Sequence, residues 1–196
     1  QNRDGGIPTF CRGWGKLPFD RSSPDLTAHA LRAWQAWRTL DPAIGRASDR
    51  AVRYLLRTQQ ADGSWIPLWF GNPWTPAQTN PVFGTARVLQ CGELLPADAR
   101  RRGEQFLRSA QETDGSFGTI EDTAVAVAAL GDLRGARWLE ECVDFEPSPI
   151  GLYFAKLWYF ERLYPLIFTV GALTRCTEGD GCGTRGARAP LSQGVG

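Results

Sequence analysis

The feature that most constrains this chain is an internal repeat. Arg50-Ala51-x-x-Tyr54-Leu55-x-x-x-Gln59 runs into Asp62-Gly63-Ser64-Trp65, and Arg102-Gly103-x-x-Phe106-Leu107-x-x-x-Gln111 runs into Asp114-Gly115-Ser116-Phe117. The two glutamines lie 52 positions apart, 59 to 111. A period of that size marks stacked copies of one supersecondary unit, none of which buries its apolar face alone. In each copy a helix ends at the glutamine, Asp-Gly makes a turn, and an aromatic side chain folds back. The glutamine amide is expected to satisfy helix-end carbonyls, and the glycine to supply the turn geometry. Trp65 and Phe117 are thereby structural. Gln1-Asn2-Arg3-Asp4-Gly5-Gly6 is the tail of a third copy without its helix, so the chain is expected to be a fragment. A fourth copy is degenerate: Arg134-Gly135-x-x-Trp138-Leu139 is followed by Val143 in the place of the glutamine.

Helices of a second kind lie between these units. Ser23-Pro24-Asp25 combines an N-cap, a proline at the first position and an acid in the first turn, and opens a helix over Leu26 to Arg38. Asn80-Pro81 opens Val82 to Leu95 in the same way, and Thr119-Ile120-Glu121-Asp122 resembles a capping box ahead of Thr123 to Leu130. Each carries small residues near its start, at Thr27-Ala28, Gly84-Thr85-Ala86 and Thr123-Ala124, which allow close helix packing. No strand period is visible. Two alternating helix kinds predict an all-α protein, an α/α toroid of the α6/α6-barrel type, incomplete with about six or seven helices. The domain is expected over residues 1–176, with 177–196, rich in Gly, Arg, Thr and Ser, a disordered or foreign tail.

Lys plus Arg of 22 against Asp plus Glu of 21 gives no basic field for nucleic acid, and Arg100-Arg101-Arg102 reads as a solvated helix face. Five cysteines, Cys11, Cys91, Cys142, Cys176 and Cys182, show no metal-ligand spacing and are expected as free thiols in a reducing compartment. No apolar run reaches the ~20 residues of a membrane span. Eight Trp, ten Phe and four Tyr need either a packed core or an apolar cavity to line.

The repeat resembles the QW motif of the squalene–hopene and oxidosqualene cyclases. The resemblance runs in order from residue 1 to about 175, through Pro8-Thr9-Phe10-Cys11, Ser23-Pro24-Asp25-Leu26-Thr27-Ala28-His29, Asp62-Gly63-Ser64-Trp65, Phe83-Gly84-Thr85 and Leu163-Tyr164-Pro165. It implies cyclisation of a linear polyene such as squalene by protonation of an alkene, with aromatic faces stabilising the carbocations and neither metal nor cofactor required. It also implies a peripheral or monotopic place on the cytoplasmic side of a membrane, no nucleic-acid partner, and possible homodimers. The proton donor of such enzymes belongs to an Asp-x-Asp-Asp motif, which this chain lacks. Other departures are a longer segment between Trp69 and Asn80, and Leu157 and Phe160 at tyrosine positions.

The resemblance makes His29 the partner of that absent acid, with Asp25 at i,i+4 keeping it charged and oriented; the plain alternative is a surface pair of modest worth. Trp14, Trp69, Phe83, Tyr153 and Phe160 are candidates for the cavity wall, where a ring face attracts a desolvated cation by about 2 kcal/mol. Trp69 stands first among them. Glu121-Asp122-Thr123-Ala124 looks like the acid motif but reads as a capping box. Two other toroid readings remain: a non-catalytic module that binds apolar ligands or a partner, and a protein prenyltransferase subunit, whose zinc site a lone His29 does not supply. A toroid glycosidase has no carboxylate pair to stand on.

Overall fold

The computed structural model describes residues 1–9, 20–75 and 77–178. Trp14 and the expected tail from 179 onward lie outside the described residues. Among those described, seven α-helices follow in order: α1 Pro24–Gln35, α2 Pro42–Thr58, α3 Pro81–Leu89, α4 Ala97–Ala110, α5 Ile120–Leu130, α6 Leu133–Glu141 and α7 Tyr164–Glu178. α1, α3, α5 and α7 pack side by side as an inner layer, while α2, α4 and α6 back α1, α3 and α5 in turn. This is an arc of an α/α toroid.

Local chemistry sets the helix starts. Asp41, Asn80, Thr119 and Asp132 each accept a backbone N–H of the first turn through the side chain, and prolines stand at the first position of α1, α2 and α3. α5 stops at Gly131, which takes the left-handed conformation at φ 64°. The helix expected over Val82 to Leu95 is shorter: α3 ends at Leu89, and a 3₁₀ turn at Gly92–Leu94 follows, with Gly92 at φ 55°. The arginine run on α4 is a solvated face, with Arg101 and Arg102 paired to Asp98 and Arg100 to Glu104.

Two short antiparallel hairpins depart from the all-helical expectation. One pairs β1 Ile7–Pro8 with β2 Ser22–Ser23; the other pairs β3 Pro149–Leu152 with β4 Leu157–Phe160. Leu157-Trp158-Tyr159-Phe160 is apolar at every position, so no alternation marks it as a strand.

The repeat fastens one unit to the next. Gln59 ends α2, but its amide does not cap that helix. It donates to the carbonyls of Gly63 (2.9 Å) and Ala99 (2.9 Å), tying the turn to the first residues of α4, and its oxygen accepts from Arg102. Gln1 does the same with Gly5, Ala47 and Arg50, and Gln111 with Gly115 and Asp132. Gly63 sits at φ 92°, where a side chain is strained, and a Cβ there would be driven into the Arg102 carbonyl. The indole N–H of the fully buried Trp65 donates to the Leu55 carbonyl at 2.8 Å, so the aromatic does cross the helix end.

A second fastener reaches inward. The backbone N–H groups of Ile7, Trp65 and Phe117 donate, each at 2.9 Å, to the hydroxyl oxygens of Thr27, Thr85 and Thr123 on α1, α3 and α5. All three threonines are fully buried. The small-residue step of each inner helix is thus a hydrogen-bonding site as well as a point of close approach.

Replacing Thr85 by valine keeps the shape and leaves the Trp65 N–H without its acceptor, a loss worth about 1–3 kcal/mol. Urea unfolding is expected to show that decrease for Thr85→Val, and a change within about 0.5 kcal/mol for the exposed control Thr39→Val.

Candidate functional site

The threonine fasteners decide which inner-helix side chains face away from them. Each residue advances about 100° around an α-helix, so positions two before and two after a threonine point about 160–200° from it. On α1 those positions are Asp25 and His29, and on α3 they are Phe83 and Arg87. All four line one cavity of about 290 Å³, together with Leu26, Arg32 and Phe70.

An aromatic cluster forms one wall. Phe83, 2% exposed, stacks on Phe70 with centroids 4.3 Å apart. Phe70 meets Tyr164 at 6.2 Å, Tyr164 meets Phe168 at 5.1 Å, and Phe168 returns to Phe83 at 6.3 Å. Phe70 is held at φ 56°, uncommon for an aromatic residue and sustained by this packing. The Arg87 guanidinium lies 5.0 Å from the centroids of both Phe83 and Phe168.

The polar side of the cavity differs from the sequence expectation. Asp25 is buried, and burial pushes its carboxyl above the usual carboxylate range against the pull of the Ser23 hydroxyl, the Leu26 N–H and Arg87. The Ser23 hydroxyl donates to it. No ion pair or hydrogen bond joins Asp25 to His29, so the expected pairing is not made; the carboxyl is engaged at the helix start, while His29 is exposed at the cavity. Arg32 and Arg87 both donate to the Gln90 side-chain oxygen, at 3.0 and 3.5 Å.

Among the other expected wall residues, the half-buried Trp69 donates its indole N–H to the Thr9 hydroxyl, and its neighbour Phe70 enters the cavity. Tyr153 is half-buried in the turn of the second hairpin, edge-on to Phe154 at 5.8 Å, and Phe160 is 63% exposed. The structure brings Asp25, His29 and Phe83 together; Trp69 and Phe160 do not line that cavity, while Tyr153 lies beside Gly71, near enough for the Asp25 carboxylate to act on its phenol. Phe70, Tyr164, Phe168, Arg32 and Arg87 were not singled out from the sequence as cavity residues. Arg87 carried a signal, four residues after Phe83 on the same helical face. Among the described residues no three His, Cys, Asp or Glu side chains converge to hold a metal ion.

Thr119-Ile120-Glu121-Asp122 caps α5 as expected, the Thr119 hydroxyl accepting from the Asp122 N–H at 3.1 Å. Both acids are also buried. Glu121 accepts from the Ser148 N–H (2.9 Å) and hydroxyl (2.6 Å), and Asp122 accepts from the Asn80 amide at 2.7 Å. Burial pushes the Asp122 carboxyl up to about 7.

A family model described as "Squalene-hopene cyclase C-terminal domain" matches residues 14–136. The chain is 34% identical over 123 residues to a copalyl diphosphate synthase of Streptomyces cyslabdanicus, covering 57% of this chain and 22% of that protein. It is 35% identical over 147 residues to a drimenyl diphosphate synthase of Streptomyces showdoensis, covering 70% and 25%. The chain therefore spans a quarter or less of the length of these relatives. In structure it is similar to an ent-copalyl diphosphate synthase from Streptomyces platensis, at a TM-score of 0.64 and 21% identity, covering 89% of this chain and 35% of that one. That likeness shows the toroid fold.

The raised carboxyl of Asp122 makes stability depend on pH. The folded chain holds this proton more tightly than the unfolded chain, so the contribution of Asp122 to stability is fullest below about 3.8 and is lost as the pH rises through about 7. Asp25, shifted the same way, adds to the trend. Urea unfolding from pH 4 to 8 is expected to show a loss on the order of a few kcal/mol, and Asp122→Asn, which keeps an oxygen for Asn80, is expected to reduce the slope.

Proposed function

The chain belongs to the squalene-hopene cyclase C-terminal domain family, and from that premise we propose that its cavity takes part in cyclising a linear isoprenoid polyene, squalene or a related chain, through carbocations. The observation that carries this reading is the Phe70–Phe83 stack opening onto the cavity that also holds Asp25 and His29. Ring faces stabilise a desolvated cation by about 2 kcal/mol or more, and close packing excludes the water that would quench it. Protonation of an alkene needs an acid kept neutral until it acts. In this reading His29 supports such an acid, supplied from outside the residues described, by stabilising its conjugate base. Asp25, buried and neutral-leaning, shapes the dry side of the cavity instead of charging His29.

The exposed apolar side chains of the second hairpin, of α7 and of the turn between them, among them Leu157, Phe160, Leu163, Ile167 and Val170, support attachment to a membrane surface. No helix among the described residues is long and apolar enough to cross a membrane.

The protein as its cell makes it is assayed with squalene and with isoprenoid diphosphates, and products are identified by mass spectrometry. A polycyclic product from squalene is the expected outcome; a cyclic product from a diphosphate alone replaces squalene as substrate, and none from any polyene refutes cyclisation. Phe83→Ala, which removes the stacked ring, is expected to slow turnover at least tenfold by the loss of about 1.4 kcal/mol or more of cation stabilisation. His29→Gln at an unchanged rate would remove its role. Flotation with lipid vesicles checks the membrane surface: Phe160→Asp with Ile167→Asp is expected to reduce the bound fraction.

A further inference from the structure

Thr119-Ile120-Glu121-Asp122 does more than start α5. In a capping box the acid at the third helical position reaches back to the backbone N–H of the cap. Asp122 holds that position, but its carboxyl accepts from the side-chain amide of Asn80, the cap of α3, at 2.7 Å. Glu121 turns towards the second hairpin, accepting from the Ser148 N–H at 2.9 Å and from its hydroxyl at 2.6 Å. The two side chains belong to residues only 3% and 2% exposed. A solvent-facing acid would serve a helix start without the cost of burial, so capping alone does not account for this pair.

Followed outward, both bond paths end on the same pair of rings. The Asn80 amide N–H is held by Asp122, while its oxygen accepts the Phe83 N–H at 3.0 Å. The orientation of that amide, and with it the first turn of α3, is thereby set from α5. From Ser148 the chain passes into β3, where the Gly151 carbonyl accepts the Gly71 N–H at 3.2 Å. A Cβ on Gly71 would stand 2.5 Å from both the Gln78 carbonyl oxygen and the Tyr153 Cβ, so loop and hairpin meet there with no side chain between them. This bond pins the residue that follows Phe70, whose left-handed φ of 56° turns its ring onto Phe83. Glu121, Asp122, Asn80 and Ser148 line a small cavity that shares its wall of Phe70 and Phe83 with the cavity of Asp25 and His29.

We infer that Glu121 and Asp122 are positioning residues for the Phe70–Phe83 pair, Asp122 acting on Phe83 through Asn80 and Glu121 acting on Phe70 through Ser148 and the second hairpin. This rests on the reading that the stacked rings stabilise a carbocation, and it adds the groups that fix where their faces stand. A ring attracts a cation over its face and less so elsewhere, so a displaced ring costs rate even where the fold survives.

The test begins with the full chain labelled with fluorophenylalanine and read by ¹⁹F NMR, the Phe70 and Phe83 signals being assigned by their loss in Phe70→Leu and Phe83→Leu. Asp122→Val is expected to shift the Phe83 signal most and Glu121→Leu the Phe70 signal most. Asp122→Asn and Glu121→Gln, which keep an acceptor oxygen, are expected to restore both. A loss of stability alone would not move a signal of the folded chain. Signals left in place by both truncations overturn the inference. Should Asp122→Val fail to fold by circular dichroism, Asn80→Ser decides: its hydroxyl still caps α3 but does not reach Asp122. In turnover of squalene or farnesyl diphosphate, Asp122→Val is expected to lower kcat about tenfold with KM changed less than about twofold. In the Phe83→Ala background the same change is expected to have little further effect, because it acts through that ring. An equal loss in both backgrounds overturns the inference. The NMR signals need no turnover: rings that shift as expected in a chain that cyclises no polyene sink the cyclisation reading and leave the positioning standing, whereas cyclisation by Asp122→Val at the wild-type rate sinks the positioning.

Discussion

Everything else in this arc hangs on a backbone N–H that leaves a turn and ends on a threonine hydroxyl. At Ile7, Trp65 and Phe117 the chain has just passed its glycine turn, and a strand-like residue there would carry an unpaired donor into the interior. Thr27, Thr85 and Thr123 supply the acceptor from the middle of the first two turns of an inner helix, and at least two of them pass a hydrogen bond on to the carbonyl four residues back, at Ser23 and Thr119. The bond fixes how each inner helix is rotated about its own axis. Rotation by a single residue would move the threonine away by about 100° and orphan the donor. The glutamine then sets the spacing of the outer helices, since its amide, besides closing its own turn, reaches a carbonyl or carboxylate at the start of the next one.

The interior that results is unusual in where its acids lie. Asp25, Glu121 and Asp122 all sit in the first turn of an inner helix, where the helix dipole favours negative charge, yet burial outweighs that pull at Asp25 and Asp122. Asn80, itself the cap of α3, spends its amide N–H on Asp122 and so links the starts of two neighbouring inner helices. The cations, by contrast, lie one to two turns further along, at Arg32 and Arg87. Along α1 the cavity thus meets a buried acid at the helix start and a guanidinium two turns further on.

The repeat made the fold legible because it is local: Gln59 to Trp65 encloses its own turn, and proline or cap residues mark the starts of α1, α3 and α5. The partner of each glutamine was not legible, since Ala99 and Asp132 lie 40 and 21 residues away. The second hairpin hid in a run with no polar alternation. At the site, Asp25, His29 and Phe83 were found through a family pattern, but their mutual arrangement depends on rotamers and on which donor arrives first: Ser23 engages Asp25, and His29 is left alone. Phe70 escaped notice beside a larger tryptophan, since only its left-handed backbone turns the smaller ring inward. Arg32 and Arg87 come from two helices, and no linear spacing joins them.

The placement of Asp25, His29, Phe83 and Arg87 two residues to either side of a threonine separates two kinds of mutational pressure. A substitution at any of these four positions alters what the cavity touches while sparing the threonine's own hydrogen bond, whereas one at the threonine does the reverse. Selection can therefore try acids, bases, rings and cations at the cavity positions one at a time without first rebuilding the scaffold. A single arc of this kind is suited to diversify by point changes, its chemistry drifting while its skeleton stays put.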